Sequence, residues 1–138
     1  MKYYLVLFVV ALLSIQIAVA QSRPYNVVFD LTTKDSVSQQ SVIRWINLIS
    51  KNNADAKLEV VMYGQGLDLV TKGKSIVADD VTKLAQNKNV SFAVCDIAMK
   101  HQNVDKSQLL PGVTTVPDGI YEIITKQGEG WGYIKVTH

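Results

Sequence analysis

The chain has 138 residues, with 14 basic and 12 acidic side chains and a single cysteine. That length allows one domain. The charges are scattered without a run of like sign, which excludes the basic stripe that tracks a phosphate backbone, so no nucleic-acid partner is expected. With Cys95 as the only thiol, an internal disulfide is excluded and the fold must stand on packing.

The first twenty residues separate from the rest. Lys2 is followed by an unbroken apolar stretch over residues 3–13, and Ala18-Val19-Ala20 places small residues two apart just before Gln21. A basic start, an apolar stretch and a small-x-small site form the pattern of a secretory signal. The expectation is a signal peptide over residues 1–20 and an exported, periplasmic or secreted domain over residues 21–138, with no membrane segment after the signal is removed. An uncleaved anchor is the alternative, but residues 3–19 are at the short limit of a bilayer span and Gln16 interrupts them.

Residues 26–31, Asn-Val-Val-Phe-Asp-Leu, read as a first strand of the continuously apolar kind found in sheets covered on both faces. A polar turn through Thr32, Thr33, Lys34 and Asp35 precedes a helix over residues 37–51, where Val42, Ile43, Ile46 and Ile49 recur at helical spacing and Trp45 sits at the edge of the stripe. Residues 57–63 form a second strand. Gly64-Gln65-Gly66 then breaks the chain, and a short helical piece over residues 67–71 follows. Val77, Val81, Leu84 and Ala85 mark another helix, with Asp79 and Asp80 near its start, where the helix dipole favours anions.

Residues 90–94 are a third strand that delivers Cys95. A turn or two of helix over residues 96–101 follows, which Asp96 could cap. A loop with Leu109-Leu110-Pro111-Gly112 leads to a fourth strand over residues 113–116. Pro117-Asp118-Gly119 opens a helix with Ile120, Ile123 and Ile124 expected inward, and residues 131–136 close the chain as a strand. Strand and helix alternate throughout, which argues for a mostly parallel sheet with helices on both faces. Ligands in such sheets collect at the carboxyl ends of the strands. Thr32 and Thr33, Tyr63 with Gly64-Gln65-Gly66, Cys95 with Asp96, and Val116-Pro117 stand there.

Cys95 carries the sharpest chemistry. At the start of a helix, backbone N–H groups favour a thiolate, whereas the adjacent Asp96 carboxylate opposes it. The other reading is a packed cysteine acting as a small hydrophobe. Gly64-Gln65-Gly66 either lets a backbone approach a ligand closely or makes an ordinary turn, and it lacks the third glycine of a dinucleotide loop. Met99 lies four residues past Cys95 and can share its helix face. His101 and His138 are too few and too far apart for a metal site, and residues 32–36 have no glycine to make a flavin phosphate loop. No cofactor and no metal are expected.

Three stretches together resemble the DsrE/DsrF-like family of sulfur-relay proteins, in particular its exported single-domain members. They are residues 60–67, Val-Val-Met-Tyr-Gly-Gln-Gly-Leu; residues 92–95, Phe-Ala-Val-Cys, running on to Met99; and Leu109-Leu110-Pro111-Gly112-Val113 through Val116-Pro117 to residues 129–134. The resemblance implies a three-layer α/β/α domain of flavodoxin-like appearance with five parallel strands in the order 4-3-2-1-5. It also implies a homo-oligomer, a trimer or hexamer, and a sulfur-donor or acceptor protein as partner. Cys95 matches by place the cysteine that carries a persulfide in sulfur-relay members. Tyr63, Gly64, Gln65, Gly66, Asp96 and Met99 would then surround it as binding residues. An oligomeric binding module with a structural Cys95 is the competing expectation.

Overall fold

The computed structural model describes residues 24–137. The signal read over residues 1–20 lies outside the described residues. The described chain runs β1 (Asn26–Leu31), α1 (Ser36–Asn52), β2 (Lys57–Met62), a 3-10 helix (Gly64–Val70), α2 (Ala78–Leu84), β3 (Val90–Cys95), α3 (Asp96–His101), a 3-10 turn (Lys106–Gln108), β4 (Thr114–Val116), α4 (Gly119–Gly128) and β5 (Gly132–Lys135). The five strands form one sheet in the order β4-β3-β2-β1-β5, and every pairing is parallel.

This order dictates how the layers are filled. Three steps in one direction, β1 to β2 to β3 to β4, carry their right-handed crossovers over one face of the sheet. The return from β4 to β5 passes over the other face and carries α4 with it. Alternation along the strands separates the two sides accordingly. Phe29 and Leu31, Val60 and Met62, and Phe92 and Val94 meet α1, the first 3-10 helix and α2 in the larger core. Val28, Val61 and Ala93 meet only Ile123 of α4 in a smaller one, with Tyr63, Val116 and Trp131 at its margin. The lone helix cannot cover that face with apolar atoms, and this face therefore carries the polar side chains described below.

Local chemistry explains the boundaries. The Asp35 carboxylate accepts from the Ser38 amide at 2.8 Å and caps α1. Asp118 caps α4, its Oδ1 accepting from the amides of Ile120 at 2.8 Å and Tyr121 at 3.3 Å. Trp45 stacks on Phe29 with ring centroids 6.2 Å apart, which fixes the edge of the α1 stripe against β1.

The structure corrects the sequence reading at four places. Gly64 and Gly66 are not a spacer before a helical piece but part of it, since the 3-10 helix starts at Gly64. Asp96 does not cap α3: Cys95 is the cap residue, without a side-chain bond, and Asp96 is the first helical residue. The fourth strand begins at Thr114, one residue later than expected. In α4, only Ile123 points inward; Ile120 and Ile124 are 56% and 58% exposed. Gly119 and Ile123, one helical turn apart, form the buried line of α4, and Ile120 and Ile124 are rotated about 100° from it.

Candidate functional site

Cys95 ends β3 in register with Val116 of β4. Its backbone, φ −69° and ψ 118°, leaves the strand and enters α3 directly. The side chain is 5% exposed and has no disulfide partner. It is not sealed in. It forms part of the floor of a cavity of about 630 Å³, whose walls include Tyr63, Gln65, Ile97, His101, Asp118 and Ile120.

Three elements bring those walls together. The residue just after β2 is Tyr63, and the glycine turn that follows folds back under β1. Gly64 has φ +54°, and a β-carbon on Gly66 would overlap the Leu31 carbonyl oxygen, so the turn can only pass β1 as glycine. The Gln102 amide donates to the Gly64 carbonyl oxygen and ties the end of α3 to this turn. From the opposite side comes α4. A β-carbon on Gly119 would stand 3.1 Å from Cβ of Cys95 and 3.3 Å from Cγ1 of Val61. Its missing side chain lets the start of α4 rest on the cysteine.

A polar network adjoins Tyr63. Asp30, at the end of β1, is 4% exposed. Its Oδ2 accepts from the Tyr133 hydroxyl at 2.7 Å and the Tyr63 hydroxyl at 3.3 Å, and its Oδ1 accepts from Lys135 Nζ at 3.1 Å. Lys135 Nζ also donates to Thr32 Oγ1 at 2.9 Å and lies 5.7 Å from the centre of the Tyr63 ring. The hydrogen bond to Asp30, together with desolvation, pushes the Tyr133 phenol up to about 12. Burial raises the Tyr63 phenol, with the charge of Asp30 adding to it. Both tyrosines are therefore neutral donors to the Asp30 carboxyl group under ordinary conditions.

A second polar group lies further down the same face, toward the amino ends of the strands. Glu59, buried in β2, accepts from Ser91 at 2.7 Å and pairs with Lys126 of α4 at 3.5 Å. Its Oε1 is buried without a partner. Desolvation raises the Glu59 carboxyl above the usual range despite the serine and lysine. Lys126 also pairs with Glu122 and sits 4.7 Å above the Trp131 ring.

The family model for DsrE/DsrF-like proteins matches residues 26–136. The chain belongs to the DsrE/DsrF-like family. Solved structures carry the same fold. A protein of unknown function from Methanobacterium thermoautotrophicum is 29% identical, with TM-score 0.75, over 80% of this chain and 98% of its own. The ychN protein from E. coli is 12% identical, with TM-score 0.68, over 82% and 99%. A conserved protein of unknown function from Bacteroides thetaiotaomicron is 16% identical, with TM-score 0.66, over 81% and 95%. No curated protein matches the chain.

Within this DsrE/DsrF-like domain the residues singled out from the sequence divide into two groups. Tyr63, Gly64, Gln65 and Cys95 line one cavity. Gly66 is buried beneath them against β1. Asp96 and Met99 line a separate cleft of about 530 Å³ with Lys100 and Asn103. Asp30, Lys135, Tyr133, Asp118 and Gly119 were not singled out. One signal for Asp30 was present, a lone carboxylate inside an otherwise apolar strand. Nothing local marked its partners on β5. No group of three or more metal-ligating side chains gathers among the described residues, and no described helix is long and apolar enough to cross a membrane.

Proposed function

We propose that this DsrE/DsrF-like protein is an exported sulfur carrier that holds a sulfane sulfur as a persulfide on Cys95. Family membership supports sulfur relay as the general activity, and the observation that carries the specific reading is Cys95 at the floor of an open cavity between α3 and the start of α4. In the transfer, the Cys95 thiolate attacks the outer sulfur of a donor persulfide. A new S–S bond forms at Cys95, the donor's S–S bond breaks, and the donor leaves as a thiolate that takes up a proton. No net oxidation or reduction occurs. The return step to an acceptor thiol is the same exchange in reverse.

The amino-terminal sequence supports export, and the exposed Ile97 and Ile120 at the site, with the exposed Tyr121 and Ile124 of α4, support assembly into a homo-oligomer or docking of a donor or acceptor protein. Intact mass measured on protein isolated without reductant tests the carrier reading. A species heavier by one sulfur atom and absent from Cys95→Ser is expected. A chain that carries no extra sulfur after incubation with a persulfide donor, and takes up iodoacetamide only in denaturant, sinks it.

The 5% exposure of Cys95 favours a second reading, a binding module in which the cysteine is packed. In that case Cys95→Ser leaves ligand binding and assembly unchanged.

A further inference from the structure

The charges around the Cys95 cavity define which thiol compounds it admits. Two features that would attract an anion are present nearby, and both are already occupied. The start of α4 directs backbone N–H groups toward the site, but Asp118 caps it and supplies a full negative charge to offset the positive end of the helix. The cation beside Tyr63, Lys135, is held by Asp30 Oδ1 and Thr32 Oγ1. No lysine or arginine lines the cavity among the described residues, and Lys100, on the adjacent helix, lines the other cleft. Asp96, next to Cys95 in the chain, lines that other cleft as well, so Asp118 is the carboxylate at this cavity. The remaining walls present the Tyr63 ring, Ile97, Ala98 and Ile120 beside the polar side chains of Gln65, His101 and Gln102.

We infer that the site selects a neutral, apolar, low-molecular-weight persulfide or thiol and turns away anionic sulfur compounds such as thiosulfate or a carboxylate-bearing thiol. The selection deepens the carrier reading and rests on Cys95 as the reacting atom. An approaching anion meets the field of Asp118 with no free cation to offset it, in a cleft whose apolar walls screen poorly. A neutral organic group instead transfers apolar surface from water onto Ile97, Ile120 and the Tyr63 ring. The exchange is the one written above: an incoming persulfide passes its outer sulfur to Cys95 and leaves as a thiolate, and an incoming thiolate takes that outer sulfur from Cys95, which is released as its own thiolate.

Methanethiosulfonates that differ in charge test this directly. Each forms a mixed disulfide with Cys95 and releases methanesulfinate, so atoms and electrons balance without a further reagent. Rates would be measured on the purified protein at pH 8 for the benzyl, sulfonatoethyl and trimethylammonioethyl reagents. Each rate is divided by that of the same chain unfolded in urea, which removes intrinsic reactivity. The normalised benzyl rate is expected to exceed the sulfonatoethyl rate by about tenfold or more, and the trimethylammonioethyl rate, at similar size, to fall between them. Asp118→Asn, which keeps a good helix cap, should raise the sulfonatoethyl rate relative to the benzyl rate. A sulfonatoethyl rate equal to or above the benzyl rate overturns the charge selection and leaves the carrier reading standing. Failure of all three reagents in the folded protein overturns both.

Discussion

Gly119 sits on Cys95. A β-carbon on this glycine, the first residue of α4, would lie 3.1 Å from Cβ of the cysteine, closer than side chains normally pack. The contact joins the carboxyl end of β3 to the start of a helix that follows β4, and it sets one wall of the cavity. Its three neighbours are Cys95 of β3, Val61 of β2 and Tyr63, the residue just after β2.

Gly119→Ala is therefore expected to push α4 off the sheet locally. A cost of about 1–3 kcal/mol fits overpacking of this kind, with altered Cys95 alkylation as a second readout. Because Cγ1 of Val61 is one of the atoms met, Val61→Ala should recover part of the loss. A denaturant double-mutant cycle checks the coupling, and strict additivity would show that the contact is not shared.

Gly66→Ala should be worse. The obstacle there is the backbone carbonyl of Leu31, which cannot rotate away as a side chain can, so β1 and the 3-10 helix would have to separate. A loss of about 3 kcal/mol or more is expected, measured by urea unfolding. A mild effect would mean that the turn after β2 is free to move.

Asp30 holds both tyrosines and Lys135. In an ultraviolet pH titration, Tyr133 should ionise near 12, late for a tyrosine. Asp30→Asn should bring it down toward the ordinary value near 10 by removing the carboxylate that accepts its proton. The sign for stability follows from the same shift. A phenol whose pKa is raised on folding contributes stability that is fully present below about pH 10 and is lost as pH rises through about 12. Wild-type protein should lose more stability than Asp30→Asn over that alkaline window.

Glu59 predicts a feature of the same sign at lower pH. Its carboxyl is raised chiefly by burial and lowered by Ser91 and Lys126, so the folded state binds its proton more tightly than the unfolded chain does. Stability from this group is full below the ordinary carboxylate range and declines as pH rises through the raised value. Lys126→Ala removes the pairing cation. It should cost about 1–3 kcal/mol at neutral pH, and the deficit should shrink on acidification as Glu59 takes up a proton. A deficit independent of pH would assign Lys126 to packing on Trp131 instead.

The layer order and the site divide cleanly between what local chemistry specifies and what it does not. Apolar runs such as residues 27–29 and 60–62, the Asp35 cap and the glycine turn after β2 all act within a few residues, so they are readable along the chain. The same holds for Cys95, because a strand followed at once by a helix puts it at the sheet's carboxyl edge. The inward face of α4 was not readable. Ile120, Ile123 and Ile124 are equivalent as hydrophobic residues, and only the seat of Gly119 on Cys95 decides which of them is buried.

Asp30 and its partners show the same limit more strongly. Tyr133 and Lys135 lie more than a hundred positions from Asp30 in the chain, and they reach it because β5 returns to pair with β1. Likewise Asp118 is simply a helix cap in the sequence, and it becomes part of the cysteine's surroundings once α4 crosses back over the sheet. What the amino-acid order determined by itself was the alternation of buried strands and helices and the place of the one thiol, since these depend on short-range periodicity. The charge field around that thiol was decided by tertiary structure, since it depends on which distant side chains a single crossover brings within hydrogen-bonding distance.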